Sequence, residues 1–271
     1  MTAEIKDTTN WRVPEHPLLE LWRSVILPCR ILFLLAIGLY FYAHHRSIRL
    51  PESSTLLPIN QQPPVQTTTS TPSFLFDWRG KSFVIYPQAE YQAQGLLLTH
   101  NNTGGIGDIY HDSDSVDLKD ICIVWGESAT SGSYLHGTFH SEPWTCVYSA
   151  KAERDLIYDD EFSNNHLLAG TKAIEEKIRA ARIGDQVKFS GFLVNYAPAE
   201  NPELLRRSSL VRDDTGDGAC EVVFVTSFEI LVRANTSWRR WEKISWYTMI
   251  SFGSFTLISL LLLPYLEYRW E

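Results

Sequence analysis

Basic residues are scarce in this chain. Its 271 residues carry 24 Lys and Arg against 32 Asp and Glu, a formal net charge of −8. The deficit lies in the middle: between Leu50 and Ser237 there are 14 basic and 25 acidic side chains. Binding to nucleic acid requires a basic stripe that displaces counterions from phosphates. None is visible, so nucleic acid is not an expected partner. Catalytic signatures are missing as well. The sequence has no HExxH zinc motif, no Gly-Lys-Ser phosphate loop and no nucleophile elbow. The cluster Gly104, Gly105 and Gly107 lacks the following helix that a dinucleotide site needs, and reads as a loop. Cysteine is limited to 4 residues with no CxxC pair, which removes zinc ribbons and thioredoxin-type sites. Cys29 falls in the first apolar segment. Cys122, Cys146 and Cys220 fall in the middle, an odd set that allows one disulfide among them and leaves a thiol over; buried small apolar residues are the alternative.

What the chain does have is two concentrated apolar blocks. Residues 244–266 read ISWYTMISFGSFTLISLLLLPYL, without a charge. At about 1.5 Å per residue this run crosses a hydrocarbon core of about 30 Å. Trp241, Trp246 and Tyr247 at one end, and Tyr265, Tyr268 and Trp270 at the other, are the expected interfacial anchors. Residues 25–43 form a weaker block. Ile31 to Ala43 is too short alone, and extension back to Val25 includes Pro28 and Arg30. A proline near a helix start costs little, and an arginine can send its guanidinium to the headgroups.

These blocks divide the chain into an N-terminal tail (1–24), transmembrane helix 1 (25–43), a Pro/Thr-rich tether (44–73), a soluble mainly β domain (74–237), transmembrane helix 2 (244–266) and a C-terminal tail (267–271). The expected partners begin with the lipid bilayer, and both termini belong on one side of it. Basic residues around the first helix favour a cytoplasmic N-terminus; Arg233, Arg239, Arg240 and Lys243 before the second favour a cytoplasmic domain. The first helix usually dominates. The balance therefore points to an integral protein, in a bacterial inner membrane, with an extracytoplasmic domain.

Within the domain, Ser82–Tyr86, Tyr91–Thr99, Ile121–Trp125, Trp144–Tyr148, Gln186–Tyr196 and Cys220–Val232 have strand composition. Gly95 and Gly191 mark bends within two of them. One helix is expected over Thr171–Ala181, where Ile174 and Ile178 share a face, with Gly184 as a left-handed cap. Bent strands, long loops and one or two short helices give the expected fold class: two transmembrane helices flanking a mainly β, β-barrel-like and OB-like domain. The words DICIVWGES, EFSNNHLLAG and DTGDGACE in the domain resemble those of an uncharacterised group of bacterial membrane-anchored proteins. That resemblance implies a single intact OB-like β domain and implies no activity.

Three constellations are candidates for chemistry. His136 and His140 are four apart and would share a face of a strand or helix, with a third metal ligand from His166, Asp112 or Asp114; the alternative is a pair of exposed loop histidines. Asn164, Asn165 and His166 form a polar cluster whose amides could orient a ligand while His166 moves a proton; the alternative is turn chemistry, in which the short polar side chains bond nearby backbone. Asp213, Asp214 and Asp217 space oxygens as in a calcium loop, but Phe224 stands where a bidentate acid is required; a hairpin turn is the alternative. No coherent catalytic set emerges. The expectation is a membrane-anchored binding or assembly module, without a cofactor, that presents its β domain to a protein or envelope partner. A homo-oligomer could form through Gly253 and Ser254, small residues that allow close helix contact. The alternative is a membrane-tethered hydrolase using a divalent metal at the histidines.

Overall fold

A computed structural model describes residues 17–103, 115–142, 145–150, 152, 157–212, 214 and 219–270. It divides into two units. Residues 1–47 with 236–271 form one, and residues 48–235 the other.

The first unit is a pair of helices, α1 (Pro17–Ser47) and α4 (Thr236–Trp270). Both contain stretches long and apolar enough to cross a membrane, Glu20–Ser47 and Thr236–Leu262. Each helix is longer than its apolar block because polar and aromatic residues continue the helical backbone. The two pack through aromatic rings: Trp22 lies 5.5 Å from Phe255, and Tyr40 lies 5.5 Å from Trp246. The Phe33 ring sits where a Cβ on Gly253 would be, 2.9 Å away. The small residue that could have served a second copy therefore admits α1 of its own chain. His44 Nδ1 lies 2.8 Å from Glu242 Oε1, and Arg46 lies over the Trp238 ring.

The second unit is a mixed sheet with few helices. Its strands are β1 (Val65–Thr68), β2 (Phe74–Trp78), β3 (Lys81–Asn102), β4 (Lys119–Val124), β5 (Gly137–Glu142), β6 (Thr145–Ala150), β7 (Phe162–Ala169), β8 (Gln186–Pro198) and β9 (Glu221–Val232). Two helices are interleaved, α2 (Gly126–Thr130) and α3 (Lys172–Ala180). The main sheet runs β1-β3-β4-β7-β9-β8, β2 pairs with β3, and β3 also pairs with β8. All these pairs are antiparallel except β7 with β9. The path thus returns to β3, though unevenly: β3 and β8 pair from Phe83 to Leu96, whereas β7 and β9 share only Asn165–Ala169. β5 and β6 form a separate hairpin.

Strand β3 makes this path possible. The two segments expected over Ser82–Tyr86 and Tyr91–Thr99 are one strand of 22 residues. Its register against β8 shifts between Pro87 and Ala89. Proline has no N–H for a ladder, so a bulge is where a strand tolerates it. A second shift, between Leu97 and Thr99, lies against β4. In β8 the register against β9 shifts between Ser190 and Gly191. A Cβ on Gly191 would lie 2.0 Å from the Phe224 carbonyl oxygen, so only glycine lets the two backbones approach so closely.

Alternation along the strands separates two faces. Ile121, Ile123, Leu167, Val187, Phe189, Val223 and Val225 are all essentially inaccessible and belong to the main core. Each such Val, Leu, Ile or Phe contributes about 1.5–3 kcal/mol on burial. Ile174 and Ile178 of α3 join them, as their spacing predicts. Thr171 caps α3, its Oγ1 accepting from the Ile174 N–H. The helix ends when Ala181 turns extended, and Gly184, with φ of +87°, lies in the following turn instead of forming the cap. A second cluster, Leu96, Leu98, Val124, Ala129, Tyr134 and Ile157, packs on the other face.

The expected tether is not extended chain. Asn60 is fully buried, and its amide donates to Gln186 Oε1. The Leu57 N–H donates to the same oxygen, and Gln186 Nε2 donates back to the Thr55 carbonyl. Tyr134 donates to the Pro51 carbonyl, and β1 pairs with β3. Few apolar side chains are involved. Specific hydrogen bonds, invisible to composition, fix this segment.

Candidate functional site

β4 and β7 place a polar stripe on a sheet that is otherwise apolar. Asp120 pairs across from His166, and Cys122 across from Asn164. Directly opposed residues point to the same side. Asp120, Cys122, Asn164 and His166 therefore share a face, opposite that of Ile121 and Ile123. The connection to β9 adds Cys220 to this face: Asn164 Nδ2 lies 3.4 Å from Cys220 Sγ, and Asn164 Oδ1 lies 3.5 Å from Cys122 Sγ. Arg206, from the β8–β9 connection, closes over the stripe, with Nη2 3.1 Å from His166 Nε2.

The centre of the stripe is a fully buried pair, His166 Nδ1 to Asp120 Oδ1 at 2.6 Å. Burial by itself lowers the His166 pKa. Hydrogen bonds to Asp120 and Cys220, with the charges of Asp120 and Asp117, outweigh it and push it up to about 10. Nδ1 faces Asp120 and Nε2 faces the Arg206 guanidinium, so the ring is held from both sides between charged partners. Asp117 accepts from Tyr196 at 2.6 Å, and burial followed by the Asp117 charge raises the Tyr196 phenol. Asp120 Oδ2, buried, has no hydrogen-bond partner among the described residues.

A second polar group lies on the opposite face of the same strands. Arg212 pairs with Glu221, and its guanidinium lies 4.9 Å over the Tyr91 ring. Asn165 donates to Ser163 Oγ at 2.8 Å, and Tyr91 Oη lies 3.5 Å from Asn165 Oδ1. Burial raises the Glu221 carboxyl to about 7, against the pull of Arg212.

Cys122 and Cys146 are disulfide-bonded, which ties the β5–β6 hairpin to β4. Ser141 of the same hairpin approaches Thr99 Oγ1 at 3.2 Å, and Phe139 stands 6.2 Å from Phe162. The hairpin thus covers the Cys122 end of the polar face. Cys220 and Cys29 are free thiols.

The expected metal set does not come together. His136 follows a 3-10 turn, and His140 lies on the exposed face of β5, 3.3 Å from Glu142. His166 is inaccessible in β7. Among the described residues no three His, Cys, Asp or Glu side chains are placed to hold a metal. The spacing of His136 and His140 implied a shared face only if one element carried both, and His136 caps the turn that precedes β5, whereas His140 lies within β5. The turn reading of Asn164, Asn165 and His166 is also overturned: they are buried in mid-strand, with Asn164 and His166 on one face and Asn165 on the other. Asp112, Asp114, Asp213 and Asp217 lie outside the described residues. Sequence reading missed Asp117, Asp120, Arg206 and Tyr196. The signal for Asp120 was present in Asp120-Ile121-Cys122-Ile123, whose alternation puts Asp and Cys on one face. Arg206 and Tyr196 had no such signal, because a 22-residue connection brings Arg206 into place.

Apart from this stripe, an open groove of about 380 Å³ runs across the sheet. Val65 and Thr67 of β1 form one wall, and Glu90, Gln92, Ser190 and Phe192 form its floor.

No protein-family model matches the chain, and no curated protein or solved structure is significantly similar to it.

Proposed function

We propose that this chain is a membrane-anchored binding module whose β domain is an OB-like barrel that takes an extended segment of a protein partner along β1. The groove beside β1 is the observation that carries this reading. β1 is an edge strand, paired only with β3, and all four of its residues are exposed. An edge strand with a groove next to it suits strand addition, in which main-chain hydrogen bonds give affinity and side-chain pockets give specificity. The barrel reading is supported by the five strands β3, β4, β7, β9 and β8, whose pairing path returns to its start, with α3 between β7 and β8. In OB barrels the second and third strands form the usual ligand face. Here those strands are β4 and β7, and the disulfide-held hairpin lies over their polar face. That coverage, with the acidity of the domain, favours a protein partner at the groove over a nucleic acid on β4 and β7.

The disulfide also bears on location. Disulfides persist in oxidising compartments, which agrees with the dominance of the first helix in placing the domain outside the cytoplasm of a bacterial cell. α1 and α4 then span the inner membrane, and both termini are cytoplasmic. Two measurements test the proposal. A photoreactive residue at Thr67, in native membranes, should give a discrete protein adduct that the same residue at Thr138 on β5 does not. No adduct at Thr67, or the same adduct at both positions, refutes the docking reading. Thr68→Cys, in a background without Cys29 and Cys220, should react with an impermeant maleimide on cells whose outer membrane is permeabilised and whose inner membrane is intact. Reaction only after lysis refutes the orientation.

A further inference from the structure

We infer that the groove beside β1 recognises a basic side chain, an arginine, carried by the extended segment of a protein partner. The inference rests on the docking reading and names what that segment carries. The groove is built in rows across the sheet. Thr67 is opposite Glu90, and Glu90 is opposite Phe192, so the three share a face. Val65, Gln92 and Ser190 form the next row. Among the described residues that line the groove, Glu90 is the one that carries a charge, and it is exposed. Phe192, half-buried, packs against the main core and also lines the groove. A carboxylate therefore stands beside an aromatic ring, with the hydroxyls of Thr67, Ser190 and Thr226 in the same lining. The following row ends the site: Gln94 donates to the Gln62 carbonyl, and Lys188 stands opposite Glu229.

This set selects a cation. An apolar side chain seated here would strip water from the Glu90 carboxylate and return no hydrogen bond, and an acidic one would be repelled. A guanidinium supplies paired donors to the carboxylate, a flat face to the Phe192 ring and further donors to the hydroxyl oxygens. An ammonium brings the charge without the flat face. Reach points the same way. Neighbouring strands lie about 4.8 Å apart, so a strand added to β1 lies about 9.6 Å from β3. From the position opposite Thr67, a long side chain passes over this short threonine and meets the Glu90 carboxylate reaching back. A short side chain stops above β1. The excess of acid between Leu50 and Ser237, 25 against 14, draws a basic segment towards the domain before contact.

The test places a photoreactive residue at Val65 of the full chain in native membranes, one row away from Glu90, and identifies the adduct by mass spectrometry. The expected adduct is a segment of another protein with an arginine about two positions from the crosslinked residue. Glu90→Gln should lower the adduct yield by about threefold or more. Glu90→Arg sets like charges against each other and should lower it by about tenfold or more. A segment without arginine, an adduct to lipid or to a second copy of this chain, or a yield that Glu90→Arg leaves unchanged overturns the inference. An unchanged yield leaves the docking reading standing, whereas no adduct from either Val65 or Thr67 refutes both. Glu90 is exposed, so its substitutions should keep the fold, which circular dichroism of the purified variants checks. The sequence of the wild-type adduct decides even where a variant is poorly produced.

Discussion

Breaking the Cys122–Cys146 bond should loosen the domain and expose its compartment in a single experiment. The perturbation is Cys146→Ser, which removes the link between the β5–β6 hairpin and β4 and leaves Cys122 as a thiol in the polar stripe. The bond closes a sequence separation of 24 residues. On the chain-entropy account a loop of that length contributes about 3.5 kcal/mol at 25 °C. A domain of this size loses about 2–4 °C of Tm per kcal/mol, so Cys146→Ser should lower the domain transition by about 7–14 °C. The assay is thermal unfolding of the detergent-solubilised chain, followed by near-ultraviolet circular dichroism. Reductant should lower the wild-type Tm by a similar amount and leave the variant unchanged. Thiol counting provides the second arm. Wild-type chain unfolded without reductant should expose only Cys29 and Cys220, and reduction should raise the count to all 4 cysteines. A variant within about 1 °C of wild type refutes the stabilising role. Four thiols before reduction, in chain taken directly from its cells, refutes the oxidising location.

Four further outcomes follow from particular contacts. Gly191→Ala drives a methyl into the Phe224 carbonyl, a backbone atom that cannot turn aside; the loss should reach about 3 kcal/mol or more by urea denaturation, and a loss under about 0.5 kcal/mol would contradict the close approach. Thr171→Ala removes the α3 cap and should cost about 1 kcal/mol in the same assay, with Thr171→Ser retaining most of it. The folded pKa of His166, about 10 against an ordinary 6.5, means that its contribution is complete below pH 6.5 and disappears as pH rises to about 10. The stability gap between wild type and Asp120→Asn should therefore be wider at pH 6 than at pH 10, and equal gaps would contradict the pair. Burial lowers Lys119 to about 7, and its ammonium donates to the Ala181 carbonyl at 2.5 Å. The cost of that buried charge grows as pH falls from 10.5 towards 7, so Lys119→Met should compare more favourably with wild type at pH 6 than at pH 9 in urea denaturation.

What could be read along the chain was local. The block 244–266 stood out as part of a helix long and apolar enough to cross a membrane, because the run carries no charge. The strand at Gln186–Tyr196, its bend at Gly191 and the helix carrying Ile174 and Ile178 were legible for a similar reason. Alternation, glycine and helical spacing act within a few residues, and the physics that enforces them acts there too. The acidity of the middle region was equally plain, and with it the lack of a basic stripe.

Tertiary structure decided what depends on residues far apart. Composition made residues 44–73 a tether, yet Asn60 and Gln186, 126 positions apart, bury an amide pair that fixes the segment to the sheet. Three cysteines allowed three pairings, and the hairpin position selected Cys122 with Cys146. The histidines at 136 and 140 looked like partners because they are close in sequence. The partner that His166 has is Asp120, 46 residues away on the neighbouring strand. A buried ionisable group needs a compensating charge within hydrogen-bond reach. Strand register supplies that charge, and register is set by the hydrophobic pattern of the entire sheet, not by any local word of the sequence.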